Sequence, residues 1–117
     1  MGKLTTHVLD TAHGMPGAGI PISLHRLDGA SRVALGTFVT NHDGRCDAPL
    51  LQGEAFVAGT YELEFSVGDY YAARGVELPT PRFLDTIVLR FGISDAGAHY
   101  HVPLLVSPFG YSTYRGS

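Results

Sequence analysis

The sequence is poor in cysteine, tryptophan and charge. Of 117 residues one is cysteine and none is tryptophan, and charged residues make up 16%. Because Cys46 has no second cysteine to pair with, the fold does not depend on an oxidising compartment. The eight Lys and Arg residues are scattered and outnumbered by eleven Asp and Glu, so nothing favours a nucleic-acid partner. With 44% hydrophobic residues, the composition also excludes a disordered chain.

Long apolar runs are missing as well. No stretch approaches the ~18 residues of a membrane-spanning helix, and residues 1–7 contain no run of signal-peptide length. The last three residues do not form a peroxisomal signal. We therefore expect no membrane association and a cytoplasmic location. The length of 117 residues predicts a single domain over 1–117.

Alternation of apolar and polar residues dominates the pattern and predicts β-strands. The clearest case is 60–67, in which Tyr61, Leu63 and Phe65 alternate with polar neighbours. Further β-rich runs, bounded by Gly, Pro, Asp or Asn, lie at 20–25, 33–40, 85–93 and 100–106. Short strands at this spacing are typical of an all-β sandwich or barrel.

One segment, 67–74, departs from the alternation. Asp69 lies near its start and Arg74 at its end, and Gly75 follows directly. An early acid, a late base and a glycine after the last turn are typical of a helix in a globular protein. The sequence therefore predicts one short helix around 67–74.

Six residues are histidines, and the strand pattern gives two of them a direction. In 99–107 the apolar residues at even positions form the core face, because side chains alternate across a strand. The opposite face carries His99, His101, Pro103, Leu105 and Ser107. A solvated face is usually more polar than this, so we interpret it as a candidate interface or site. By the same alternation His7 faces outward from the first strand, but the pattern leaves open whether both strands share a sheet.

Several residues have a plain structural interpretation beside a functional one. His13, His25 and His42 are expected to be surface or hydrogen-bonded structural residues. The His99 and His101 pair could bind a metal, but zinc needs further ligands, and no Cys-x-x-Cys or His-Glu-x-x-His spacing accompanies the pair. We predict no metal.

The turn at 41–44 leads into Arg45 and Cys46. Arg45 is either a solvated loop residue or a ligand-binding residue whose planar guanidinium suits an anionic or carbonyl-rich heterocycle. Cys46 has no base beside it in the sequence, so we interpret it as a small buried filler rather than a nucleophile. The β-competent tail, 111–117, is expected to pack, whether for stability or for a site.

Motifs along the whole chain resemble the transthyretin-like 5-hydroxyisourate hydrolases. They are Leu-Thr-Thr-His-Val-Leu-Asp-Thr at 4–11, Gly-Met-Pro-Gly-Ala at 14–18, Asp-Gly-Arg at 43–45, and His-Val-Pro-Leu-Leu-Val-Ser-Pro at 101–108. The terminal Tyr-Arg-Gly-Ser at 114–117 is the most specific of them.

The resemblance implies a fold, an assembly and a site. The fold is a two-sheet prealbumin-like sandwich of about eight strands with one short helix. The assembly is a homotetramer, a dimer of dimers, with its sites in the channel where the dimers meet. The resemblance implies catalytic roles for His7, Arg45, His101 and Ser117. It implies that substrate is bound by His7, Arg45, Tyr114, Arg115, Gly116 and Ser117.

The implied reaction is hydrolysis of 5-hydroxyisourate to 2-oxo-4-hydroxy-4-carboxy-5-ureidoimidazoline, without cofactor or metal, in urate degradation. Hydrolysis requires a proton to be taken from water and another to be given to the leaving nitrogen. Imidazole suits both transfers because its pKa of about 6.5 lies near working pH. The alternative is a non-enzymatic carrier of thyroid-hormone-like ligands, since transthyretins proper share the fold. That function favours an apolar channel, whereas this chain offers His7, Arg45 and His101.

Overall fold

The computed structural model describes residues 2–116, and it confirms an all-β sandwich. Within these residues nine strands are formed: β1 (Lys3–Asp10), β2 (Met15–Pro16), β3 (Pro21–Asp28), β4 (Ser31–Val39), β5 (Leu51–Gln52), β6 (Gly59–Ser66), β7 (Thr86–Ile93), β8 (Tyr100–Ser107) and β9 (Gly110–Thr113). A 3₁₀ turn covers Gly53–Ala55, and the predicted helix is present as α1 (Val67–Ala73). No helix within 2–116 is both long and apolar enough to cross a bilayer.

The strands form two sheets. One has the order β2-β1-β8-β9, with β5 also paired to β1, and the other has the order β4-β3-β6-β7. Every neighbouring pair is antiparallel except β1 and β8, which run parallel from Leu4 opposite Tyr100 to Asp10 opposite Val106. The first and the last long strand of the chain are therefore neighbours in the centre of one sheet.

The core lies between the sheets, where the predicted alternation places it. Tyr100, Val102, Leu104 and Val106 of β8 are buried, as are Leu4 and Val8 of β1 and the apolar residues of β6. Burial of each large apolar side chain contributes about 1.5–3 kcal/mol. This inward packing fixes the phase of β1 and β8, and it therefore turns their odd-numbered residues outward. Pro103 lies on the outer face as predicted, yet it is buried there, in register with His7.

Helix α1 is tied to the end of β1 by a buried carboxylate. The hydroxyls of Tyr70 and Tyr71 donate to Asp10 at 2.7 and 2.8 Å, and the ring of His13 contacts the same carboxylate at 2.6 Å. Asp10 is fully buried. Burial opposes its ionisation, but the hydrogen bonds from Tyr70, His13 and Tyr71 outweigh that effect and lower the pKa of Asp10. His13 thus has the structural role expected of it.

Candidate active site

The parallel pairing of β1 and β8 brings His7 and His101 together. Thr5 lies opposite His101 and His7 opposite Pro103, so both imidazoles stand on the outer face of the sheet, offset by two residues along the strands. The ring centroids are 6.5 Å apart and the rings are tilted by 35°. Both side chains are half-buried. The strands of the two histidines therefore do share a sheet, which the sequence pattern had left open.

The turn at 41–44 carries Arg45 to the same place. The side-chain oxygen of Asn41 accepts from the backbone N–H groups of Asp43 and Arg45 at 2.9 and 3.1 Å, which closes the turn. Gly44 has φ +76°, and a Cβ on it would collide with the carbonyl oxygen of Val8. Only glycine permits so close an approach to β1 in this conformation. As a result Arg45 forms a β-bridge with His7.

The C-terminal tail closes over His101 from the other side. After β9 the chain returns to β8, where the Gly116 N–H donates to the His101 carbonyl at 2.7 Å. A Cβ on Gly116 would lie 2.7 Å from Cδ2 of His101, too close for any side chain. Within the described residues the tail is therefore held to β8 through its backbone, although the side chains of 111–115 are exposed, and a glycine at 116 lets it run against the imidazole ring.

A depression of about 450 Å³ lies on the outer face between β1, β8 and the segment that begins at Arg45. Its lining includes Lys3, Thr5, Arg45, Cys46 and His101. The floor thus consists of strand residues from β1 and β8, and the wall is the segment that follows the turn at 41–44. A volume of this size is within the range of small-molecule sites.

The electrostatics of the site favour neutral imidazoles. Burial and the nearby Arg45 guanidinium lower the pKa of His7, although a hydrogen bond to the Asp43 backbone and the Asp43 carboxylate oppose them. Burial, Arg45 and His7 all lower the pKa of His101. Neutral rings with free lone pairs can accept a proton at neutral pH, while Arg45 keeps its charge.

Two other tail residues that the sequence singles out lie elsewhere. The guanidinium of Arg115 stacks 4.0 Å over the Tyr100 ring and donates to the His99 carbonyl at 3.1 Å. Tyr114 is 60% exposed and lines, with Arg115, a separate depression between β7 and β9. Ser117 is outside the described residues. The structure therefore groups His7, Arg45, His101 and Gly116, and it sets the side chains of Tyr114 and Arg115 apart from them.

Thr5 is a site residue that the sequence analysis did not single out. Its hydroxyl lies 2.8 Å from Nδ1 of His101. The alternation in β1 already places Thr5 on the outward face with His7. What the pattern lacked was the register of β1 against β8, and only that register puts Thr5 beside His101.

The remaining titratable candidates do not gather into a second site. His25 contacts Arg32 at 3.2 Å, and His42 and His99 are exposed. Within residues 2–116 no group of three His, Cys, Asp or Glu side chains is arranged to hold a metal ion. Cys46 is half-buried against the core, and burial, with Asp47, raises the pKa of its thiol. A raised pKa disfavours the nucleophilic thiolate.

The chain is similar to known proteins over nearly its whole length. A family model described as "HIUase/Transthyretin family" matches residues 4–116, nearly the whole length. The chain belongs to this family. A 5-hydroxyisourate hydrolase from Ralstonia nicotianae is 66% identical over 117 residues, which is all of both chains.

Solved structures agree with this assignment. The structure of 5-hydroxyisourate hydrolase from Klebsiella pneumoniae superposes with a TM-score of 0.82 at 36% identity, and the match covers both chains completely. Sea bream transthyretin, solved in complex with thyroxine, has a TM-score of 0.87 at 25% identity, over 97% of this chain and 94% of that one. The sandwich is therefore transthyretin-like.

Proposed function

We propose that the chain hydrolyses 5-hydroxyisourate to 2-oxo-4-hydroxy-4-carboxy-5-ureidoimidazoline on the outer face of the β1–β8 sheet. The observation that carries the proposal is the meeting of His7, Arg45 and His101 on one face: Arg45 is bridged to His7, the two imidazole centroids are 6.5 Å apart, and Arg45 and His101 line one depression. The sequence similarity to 5-hydroxyisourate hydrolases, which extends over the full length, also supports the proposal.

The reaction opens a cyclic amide with water. Water adds to a ring carbonyl carbon and the carbon–nitrogen bond breaks, so that the carbon becomes a carboxyl group and the nitrogen the end of a ureido group. The enzyme must accept a proton from water, stabilise the developing oxyanion and protonate the leaving nitrogen. His7 and His101 are the groups available for the proton transfers, and such transfers contribute roughly 10²–10⁴-fold in rate.

Arg45 supplies the electrostatic part. Arg45 forms a β-bridge with His7 and lines the depression together with His101, so its guanidinium is placed to act on a ligand bound there. A fixed cation there binds the carbonyl-rich heterocycle and offsets the negative charge that develops on the attacked oxygen. The charge gains strength where water is excluded.

The C-terminal tail and a homotetrameric assembly complete the proposed site. We assign substrate or water positioning to the 114–117 tail, with Gly116 already against His101. We also propose a homotetramer in which this face becomes a channel wall, because the face mixes imidazoles with half-buried Leu9 and Leu105 and exposed Phe109. Sedimentation equilibrium is expected to give four times the mass of one chain, and a monomer would contradict the assembly.

Hormone-type binding without turnover is the alternative, since sea bream transthyretin has the same fold and was solved with thyroxine. Here Arg45 and His101 line the depression and the His7 ring lies 6.5 Å from that of His101, a set that suits proton transfer better than an apolar iodinated ring. The enzyme is therefore the better supported of the two functions.

A direct assay separates them. 5-Hydroxyisourate is generated in place by urate oxidase, and its ultraviolet decay is followed with and without the protein. We expect a large acceleration over spontaneous decay, and an Arg45→Met/His101→Asn double variant serves as the matched control. Decay at the spontaneous rate, together with thyroxine binding by calorimetry, would favour the carrier.

A further inference from the structure

The hydroxyl of Thr5 makes a contact that the proposed reaction does not use. Thr5 Oγ1 lies 2.8 Å from Nδ1 of His101, and the two residues are direct partners in the parallel β1–β8 ladder. Both side chains are half-buried on the outer face. The contact is therefore held by the backbone register of the two central strands, rather than by a mobile loop.

The direction of this hydrogen bond determines where His101 carries its proton. A neutral imidazole has a proton on one nitrogen and a lone pair on the other. If the hydroxyl donates to Nδ1, the ring proton must be on Nε2, and if Nδ1 donates, Nε2 has the lone pair. The two arrangements give His101 opposite chemistry at Nε2.

The surroundings of Thr5 favour donation by the hydroxyl. Within residues 2–116, the bond to His101 is the only side-chain hydrogen bond that Thr5 makes. If Nδ1 were the donor, the hydroxyl proton would have no acceptor in that part of the chain. With Thr5 as the donor, both the hydroxyl proton and the Nδ1 lone pair are satisfied within the chain, and leaving a half-buried polar group without its hydrogen bond has a cost.

The ring is also held on its other edge. Gly116 packs against Cδ2 of His101, next to Nε2, and its N–H holds the His101 carbonyl. In the described chain Nε2 itself takes no hydrogen-bond partner, and His101 lines the depression together with Arg45. Thr5 and Gly116 thus fix both the tautomer and the orientation of the ring, and Nε2 is left for a ligand.

His7 is the remaining imidazole of the site. Its ring centroid lies 6.5 Å from that of His101, and its backbone forms a β-bridge with Arg45. If the proton of neutral His101 is on Nε2 and its Nδ1 lone pair is taken by Thr5, His7 is the imidazole left to accept a proton from water.

We propose that Thr5 is a positioning residue that holds neutral His101 with its proton on Nε2, as a hydrogen-bond donor to the attacked carbonyl oxygen. His101 then acts with Arg45 on the oxyanion. His7 accepts the proton that water loses on forming the new carbon–oxygen bond, and it returns that proton to the leaving nitrogen. The inference rests on the proposed function for its catalytic part, whereas the tautomer of His101 is independent of it.

The test compares Thr5→Val, which removes the hydroxyl at constant shape, with Thr5→Ser, which keeps it. Thr11→Val is the matched control, because that hydroxyl donates to the Val106 carbonyl at 3.0 Å and touches no histidine. The ¹⁵N shifts of labelled histidine rings, assigned with a His101→Asn variant, report which nitrogen carries the proton. Ring-opening kinetics at saturating and limiting substrate give kcat and KM separately.

We expect the wild type, Thr5→Ser and Thr11→Val to hold the His101 proton on Nε2, and Thr5→Val to show a mixture of tautomers. We also expect kcat of Thr5→Val to fall about tenfold, the size of one neutral hydrogen bond, at an unchanged KM. A wild-type proton on Nδ1, or a tautomer change in Thr5→Val at full kcat, overturns the proposal. If the wild type fails to accelerate ring opening, the proposed function fails, and the nitrogen shifts still decide the tautomer.

Discussion

The outer faces of the two sheets differ in how their charges are used. On the β3–β6–β7 face, Glu62 is 6% exposed and lies between Arg32 and Arg90, at 3.2 and 2.9 Å, and Arg32 also reaches Glu64 at 3.1 Å. On the β1–β8 face, Arg45 and the two imidazoles lie close together, and within residues 2–116 Arg45 forms no ion pair. The charged side chains of the β3–β6–β7 face pair with one another, whereas the charge of Arg45 on the β1–β8 face is available to a ligand.

The difference separates a structural surface from a candidate site on one scaffold. Cross-strand charge pairs such as those of Glu62 stabilise a sheet by up to about 1 kcal/mol each and present little field to a ligand. On the β1–β8 face, burial and then the charge of Arg45 lower the pKa of both His7 and His101. Perturbed groups in a depression are typical of functional sites.

Replacing one histidine on each face is expected to give the largest difference in turnover. His7→Asn and His101→Asn are each expected to lower kcat by about 10²–10⁴-fold, because a group that acts on the reacting atoms is lost. His25→Asn, on the charged face, is the control and is expected to keep nearly full activity. Ring-opening rates with a thermal melt of each variant give the answer, and near-normal turnover in either site variant removes that histidine from the mechanism.

Exchange of an arginine on each face is expected to have the next largest effect. Arg45→Met should lower kcat by about 10²-fold, as loss of one oxyanion-stabilising group does elsewhere. Because the guanidinium lowers the pKa of His7 and His101, its removal raises both, and the acidic limb of the pH–rate profile moves to higher pH. Arg32→Met should change neither the rate nor the limb. A limb that stays in place in Arg45→Met contradicts the electrostatic coupling.

The charged face is tested by stability rather than activity. Glu62→Gln removes the carboxylate that faces Arg32 and Arg90 and is expected to lower the free energy of unfolding by about 1 kcal/mol, with turnover unchanged. Glu77→Gln, at an exposed position after α1, is the matched control and should be neutral. Urea unfolding at fixed protein concentration measures both. A clear loss of activity in Glu62→Gln would mean that the two faces are not independent.

The smallest effect is expected at Cys46. This residue lines the depression, but its half-buried thiol has a raised pKa and is poorly suited to attack. Cys46→Ser is therefore expected to change kcat by less than about twofold, which the same assay can measure. A large loss would place a covalent step at this residue and contradict direct attack by water.

Much of the fold follows from the sequence because burial follows periodicity. The alternation in 60–67 and 100–106 predicts β6 and β8 with their correct inner faces, and the acid–base–glycine pattern predicts α1 within one residue of its end. The same alternation of inward and outward side chains predicts that His7 and His101 face outward. Local periodicity carries this information because a strand of the wrong phase would expose its core residues.

The site could not be completed from the sequence because its contacts join distant parts of the chain. Thr5 and His101 are 96 residues apart, and only the parallel β1–β8 register makes them neighbours. Arg45 depends on Gly44 passing the Val8 carbonyl, a contact that no periodicity encodes. The resemblance to the hydrolase family identified Arg45 without this geometry, but it did not indicate that the side chain of Arg115 stacks on Tyr100.

If ring opening takes place on the outer face of the β1–β8 sheet, a crystal structure with urate bound will show the ligand there. Urate is a stable purine with the carbonyl-rich rings of the substrate class. The ligand is expected to lie against Arg45, with His7 and His101 within hydrogen-bond distance of its oxygen or nitrogen atoms. Urate seated between β7 and β9, or on the charged face, with those three residues untouched, would contradict it.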